Sequence, residues 1–341
     1  LCGSSPSFIV SELLSGQAFY NRSLNEIRLA PFEIDEIAEY FGPDYGAREI
    51  MLVALTLGGV CEYLKILKNA KGSFLNELAL QSSAKDSFFK LEYDKIFVSS
   101  MANNKHYKKI LYFLATKKFA TKQEIAKFLK ISAPGGTLSH LLDDLEKCEL
   151  IKAYSPILNQ NARNLVRYSI ADEYINFYNK FILPKLADID SGKFSQDASH
   201  FFDRHSLKIN LDFMLEKWCR KNHRRLAKIM KFDQINYQSG AYFSRKSQAV
   251  KKGFQIDLMY IRDDNRIVLV EIKNHDDLID SQKVISEVLY KKSLFIKLHP
   301  KYKNFTFELA LVAPEGISEK IKENLNFKHF ITFEEIFDPP M

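Results

Sequence analysis

The chain has 341 residues, 49 Lys and Arg against 42 Asp and Glu for a net charge of +7, and 46% hydrophobic residues. That length exceeds one ordinary core and predicts two or three domains, and the composition is that of a globular protein. No run approaches the roughly 18 apolar residues of a membrane span and no signal peptide opens the chain, so a cytoplasmic protein without a membrane partner is expected. The four cysteines, Cys2, Cys61, Cys148 and Cys219, fit no zinc or disulfide spacing and read as reduced.

In the first stretch, residues 1–70, Leu1 stands in place of a Met and is followed by Cys2-Gly3-Ser4-Ser5, which reads as a strand running into a polar turn. The chain is therefore expected to be the C-terminal portion of a longer protein. A helix is expected from near Pro6, alternation at Ile27 and Leu29 leads to Pro31 and a new helix, and Gly58-Gly59 breaks an apolar helix from a second short one. None of the 13 glycines begins a G-x-x-x-x-G-K-[ST] phosphate loop, so this polypeptide is not expected to hydrolyse ATP by itself.

Residues 71–188 have a helix-turn-helix rhythm. Phe74–Phe97 reads as connecting helix, Ile110, Leu111, Leu114 and Ala115 form one apolar face, and Thr121 with Glu124 is a capping box. A third helix begins at Pro134-Gly135-Gly136 with the face Leu138, Leu141, Leu142 and Leu145; Leu150–Lys152 and Leu165–Ile170 then pair around a polar loop as a wing. This is a winged helix. The third helix carries Thr137, Ser139 and His140 but also Asp143, Asp144 and Glu146, and the wing offers only Arg163 and Arg167, so coupling between domains is favoured over base readout. Self-association or a protein partner is a further expectation for it. The aromatic run DEYINFYNKFILP reads as core rather than as a platform for bases.

In residues 189–341, Leu207, Leu211, Leu215 and Trp218 form a helical stripe. Glu216 lies off it, either in a solvated i,i+4 array with Asp212 and Arg220 or as a carboxylate aimed at a metal. After Ile235–Phe243 comes FQIDLMYIRDDNRIVLVEIK, two β-rich runs around a polar turn. If Arg262 and Arg266 close a three-residue loop, Asp257 falls directly opposite Glu271, and Lys273 shares their face. Two carboxylates and an ammonium together suit Mg2+ or Mn2+ and phosphodiester chemistry. Leu278–Leu298 is a long helix whose Gln282 is either a satisfied core amide or a group reaching into the site. Phe307–Val312 is a buried strand, a helix starts at Ser318, and HFITFEEIF is a last strand. His275 is near enough in sequence to assist the site, or is a lone surface histidine. Between Phe201 and Ile256, 13 Lys and Arg stand against 4 Asp and Glu, a basic excess that suits a polyanion or is a solvated basic face. Arg220, Lys221, Arg224, Arg225, Arg245, Lys246, Lys251 and Lys252 are its candidate contacts to the nucleic-acid backbone.

Two resemblances cover the chain. Gly3-Ser4-Ser5, Tyr20-Asn21-Arg22, Leu29-Ala30-Pro31-Phe32, Gly58 through Leu64, and the D-x-Y-x-x-F run ending at Pro184 together resemble archaeal-type AAA+ (P-loop) ATPases, with Val60-Cys61 where that family has Ile-Pro. The resemblance implies a nucleotide sensor at Ser4 and Arg22, a helical lid, and ATP bound by the full-length parent, whose Walker A region would lie upstream. The order of elements around Asp257, Glu271-Ile272-Lys273, with Glu216 and Gln282 as weaker matches and Ile256 at the usual proline, resembles the PD-(D/E)xK nucleases. Together the two resemblances imply an α/β and α+β multidomain chain: an ATPase remnant with lid over 1–70, connecting helices and winged helix over 71–188, and a restriction-endonuclease-like α/β domain over 189–341. A metal-dependent DNA nuclease coupled to an ATPase is the function implied, the alternative being a non-catalytic DNA- or protein-binding module that regulates the ATPase.

Overall fold

The computed structural model describes residues 29–68, 73–97, 104–133, 136–158, 165–244, 253–274, 279 and 282–337. These form a mixed α/β structure in two compact units: one extends to Leu207, and the other runs from Lys208 on and takes in Gly46–Arg48 and Ser155–Leu165. Among the described residues, no helix is long and apolar enough to cross a membrane.

The first unit is helical. Helix α1 (Ile34–Phe41) is opened by reciprocal bonds between Glu33 and Glu36 and buries Ile34, Ile37 and Phe41. Helices α2 (Ala47–Thr56) and α3 (Cys61–Lys68) meet at the glycine pair. Phe32 donates its N–H to the Gly59 carbonyl at 2.8 Å. A side chain at position 59 would overlap the Phe32 backbone, and Gly58 has a φ of 69°, so both positions require glycine. Then come α4 (Phe74–Ser83), α5 (Phe88–Ile96), α6 (Lys105–Ala115), α7 (Lys122–Leu129) and α8 (Gly136–Lys147). The expected apolar faces of α6 and α8 are buried, and the Thr121–Glu124 capping box is in place.

Strands β1 (Ile151–Tyr154) and β2 (Arg167–Ile170) pair antiparallel, Ile151 opposite Ile170. Helix α9 (Glu173–Phe177) runs on through a π turn at Tyr178–Ile182. Its aromatic residues are core, as their spacing predicts: Tyr178 stacks on Tyr93 at 3.9 Å, and the Tyr174 hydroxyl donates to the Phe89 carbonyl at 2.7 Å. A short α10 (Leu186–Asp190) follows.

The second unit begins within α11 (Arg204–Lys221), continues through α12 (His223–Ile229), and is built on a five-stranded mixed sheet of order β3-β4-β5-β6-β7. Strands β3 (Tyr237–Ser244), β4 (Phe254–Arg262) and β5 (Arg266–Ile272) form an antiparallel meander, while β5, β6 (Thr306–Val312) and β7 (Phe327–Ile331) are mutually parallel. The crossover from β5 to β6 is α13 (Gln282–Leu298), whose Val284, Ile285, Val288 and Phe295 are buried with Met259, Ile267, Leu269, Leu309 and Leu311 of the sheet. On the opposite face Tyr260 meets Phe232 and Tyr237 and donates to the His223 carbonyl at 2.7 Å. Strand β5 is buried from Ile267 to Ile272, which explains its almost unbroken apolar sequence.

The Ser318 helix is only one turn, α14 (Glu319–Lys322). The terminal segment corrects the expectation of a single strand: β7 ends at Ile331 and α15 (Phe333–Phe337) follows. The reason is local, since Glu335 accepts from the Thr332 N–H at 2.7 Å and from its hydroxyl, which caps a helix.

One buried carboxylate organises the hairpin end of the sheet. Glu308 on β6, 3% exposed, meets Lys328 and Arg266 at 2.6 Å, His329 at 3.2 Å and Arg262 at 3.3 Å. Burial opposes its charge, but the bonds from Lys328, Arg266 and His329 prevail and lower its pKa to about 2. A carboxylate lowered from its ordinary value stabilises the fold above that value and loses the contribution as pH falls toward 2. Glu308→Gln should therefore cost about 3 kcal/mol at neutral pH and flatten the acid limb of stability between pH 4.5 and 2. Urea unfolding followed by the fluorescence of Trp218, the single tryptophan, measures both.

Candidate functional site

The β4–β5 hairpin closes as its sequence predicts. Strand β4 ends at Arg262 and β5 starts at Arg266, with Asn265 at a φ of 60°, a left-handed position that asparagine tolerates. The ladder pairs Ile261 with Ile267, Tyr260 with Val268, Met259 with Leu269 and Leu258 with Val270. Continued by one step, this register brings Asp257 level with Glu271.

At that step the sheet departs from a regular ladder. Gly240 and Tyr242 of β3, two positions apart, pair with Met259 and Ile256 of β4, three positions apart. Asp257 and Leu258 fall in the extra span, a bulge of the kind that re-aims a side chain. The Asp257 carboxylate accepts from the Ile272 N–H and from the Gln255 amide, each at 3.4 Å, so a side-chain oxygen meets β5 just beyond the paired backbone. Both Asp257, 8% exposed, and Glu271, 3% exposed, are buried.

Glu271 is paired on both oxygens. Lys273 lies 3.0 Å from Oε1, and Lys291 of α13 lies 2.5 Å from Oε2. Lys273 also approaches Glu287 of α13 at 3.6 Å. Burial disfavours the Lys273 ammonium, but Glu271 outweighs it, helped by Glu287 and Asp257, and the pKa is raised. Lys273 is thus a cation at neutral pH, suited to holding negative charge rather than to removing a proton. This group sits at the carboxyl end of β5, where Lys273 donates its N–H to the Val312 carbonyl of β6 at 2.9 Å. Ligand sites in parallel sheets gather at that edge.

Other predicted residues have distinct places. Glu216 of α11 pairs with Arg220 at 3.6 Å, and Arg220 donates to the Asp257 carbonyl at 3.4 Å, so both lie beside the hairpin. The Cys219 thiol between them is raised by burial, against Arg220 and together with Glu216 and Asp257, which puts these charges in one neighbourhood. Gln282, the first residue of α13, is exposed and is not a core amide. Arg224 and Lys221 are exposed. Arg225 donates through Nε to the Ile336 carbonyl at 2.8 Å and ties α12 to α15. Ser4, Arg22, Arg245, Lys246, Lys251, Lys252 and His275 lie outside the described residues.

Glu287 and Lys291 escaped the reading of the sequence, although a signal was present. Val284, Val288, Lys291 and Phe295 follow one another at steps of four, three and four. That spacing is one helical stripe, with a lysine where an apolar residue is expected.

For a divalent cation, Asp257 and Glu271 supply oxygen donors of the right hardness. Among the described residues no three His, Cys, Asp or Glu side chains are grouped as a protein cage. Mg2+ ordinarily takes one or two carboxylates and completes its shell with water and phosphate, so the donor set fits that ion.

No protein-family model and no solved structure matches the chain. It is 27% identical over 304 residues to the uncharacterized protein MJECL04 of Methanocaldococcus jannaschii, a stretch covering 87% of this chain and 64% of that protein. The chain thus spans less than two thirds of the curated relative it matches.

The two arginines of α12 separate by experiment. Arg225→Ala should lower stability by about 1–2 kcal/mol through the lost carbonyl bonds, while Arg224→Ala should stay within about 0.5 kcal/mol of the parent. Urea midpoints with unchanged slopes check both.

Proposed function

We propose that the second unit is a restriction-endonuclease-like domain that hydrolyses phosphodiester bonds in DNA with Mg2+ or Mn2+, within the C-terminal part of an AAA+ ATPase. The observation that carries this reading is Asp257, Glu271 and Lys273 converging at one end of the mixed sheet, with a bulge at Asp257. The order of helix, three-stranded meander, crossover helix and parallel strand supports it. Asp257 and Glu271, with Glu216 as a further candidate, would hold the cation, which supplies an acidified water and neutralises a phosphate oxygen. Lys273 orients the attacking water and offsets the charge that builds on phosphorus oxygens. Arg224, with Arg245, Lys246, Lys251 and Lys252, is assigned to the DNA backbone, contacts that position a duplex without reading it.

The close fit of Phe32 against Gly59 supports a lid-like reading of the helices around it. ATP binding is assigned to the longer protein. The β1–β2 hairpin behind α8 is read as the wing of a winged helix whose task is coupling: Arg167 lies over the Phe119 ring at 3.7 Å, Asp144 accepts from Tyr107 at 2.7 Å, and Glu146 accepts from the Ala153 N–H at 3.1 Å. Such residues are occupied in the fold rather than presented to bases.

The two ammonium groups on Glu271 favour a second reading, in which the domain binds nucleic acid or a protein without cutting. The readings part cleanly. Cleavage of plasmid or linear DNA in Mg2+ or Mn2+ should fall at least about 100-fold in Asp257→Ala and in Lys273→Ala. Cleavage that survives both changes, or none from folded parent on several DNAs, would reject the nuclease. Salt-sensitive DNA binding weakened by Arg224→Glu and untouched by Asp257→Ala would then mark the binding module.

A further inference from the structure

We propose that Lys291 is a built-in competitor for the divalent cation, an ammonium seated on the Glu271 oxygen that the metal takes and displaced when the metal binds. This rests on the reading of Asp257 and Glu271 as a cation site. Its footing is the 2.5 Å contact between Lys291 Nζ and Glu271 Oε2, in a side chain only 20% exposed. Lys291 stands within the stripe of Val284, Val288 and Phe295, all buried. An ammonium at the edge of such a core is tolerated when a carboxylate meets it, and Glu271 is its acidic partner there.

The exchange follows from counting charges around one carboxylate. Glu271 holds Lys273 at 3.0 Å and Lys291 at 2.5 Å, and a divalent cation in contact with the same group would repel both. Lys273 has a second acceptor, Glu287 at 3.6 Å, whereas among the described residues Lys291 has no other acidic partner within ion-pair distance. Lys291 is therefore the one to leave. Metal affinity is set by this competition, and a phosphate oxygen that accepts the released ammonium favours metal binding. Metal and polyanion then bind cooperatively, each removing a cost from the other.

The test is Mn2+ affinity, measured from the electron paramagnetic resonance of free Mn2+. Lys291→Met should bind about tenfold more tightly than the parent, the scale of one screened charge contact, and Lys291→Arg should stay near the parent. A folded Lys291→Met with parental or weaker affinity overturns the proposal. Should that variant fail to fold, the unaltered protein gives the answer: saturating Mg2+ should raise the acylation rate of Lys291 several-fold by mass spectrometry, with exposed Lys228 as an internal control. No change at Lys291 overturns it. Parental binding that Glu271→Gln abolishes but Lys291 does not influence removes this inference and leaves the cation site standing. No Mn2+ uptake by parent or variant removes both.

Discussion

A carboxylate 3% exposed on the central strand of a sheet is stable only with its charge answered, and at Glu271 two ammonium groups answer it. Much of this unit's geometry serves that requirement. Lys273 follows directly on the end of β5, two residues past Glu271, and reaches its carboxylate at 3.0 Å. Helix α13 packs Val284, Val288 and Phe295 on the sheet, and the same packing delivers Lys291 and Glu287 to the strand end. The core and the charged group are thus one construction: the apolar stripe fixes the helix, and the helix fixes the ion pairs.

Glu308 on the adjacent strand is an instructive contrast. It is equally buried, yet four basic side chains surround it and Arg262 and Arg266 also hold Asp264 of the hairpin loop. That network is dense in ion pairs and sits at the turn, where it fixes the loop. Glu271 lies at the other end of the pairing, beside a bulge, with a neighbouring carboxylate in Asp257 and lysines on two elements. One end of the hairpin is locked, and the other has exchangeable partners. Chemistry is assigned to the second because a site must be able to trade its internal cations for those of a ligand.

The hairpin was legible in the sequence because its determinants are local. Arg262 and Arg266 bracket a polar loop, asparagine accepts the left-handed position, and alternation then fixes which residues meet. The buried faces of α6 and α8 and the Thr121 cap were legible for the same reason. The bulge at Asp257 was not, since it is a mismatch between β3 and β4 that neither strand reveals alone. Nor was the bond of Arg225, because its partner, Ile336, is 111 residues away. Lys291 was readable in principle, as a lysine inside an apolar stripe, but only the packing of α13 on β5 tells which carboxylate it meets. Gln282, open between a core amide and a group reaching into the site, is exposed, which removes the first alternative.

The central claim is that Asp257 and Glu271 jointly hold a divalent cation. Anomalous scattering at the manganese edge from crystals equilibrated with Mn2+ tests it most directly. One strong peak within bonding distance of both carboxylates is expected, with Lys291 withdrawn from Glu271. A peak held by other residues, or none at saturating Mn2+ with both lysines still on Glu271, would contradict it.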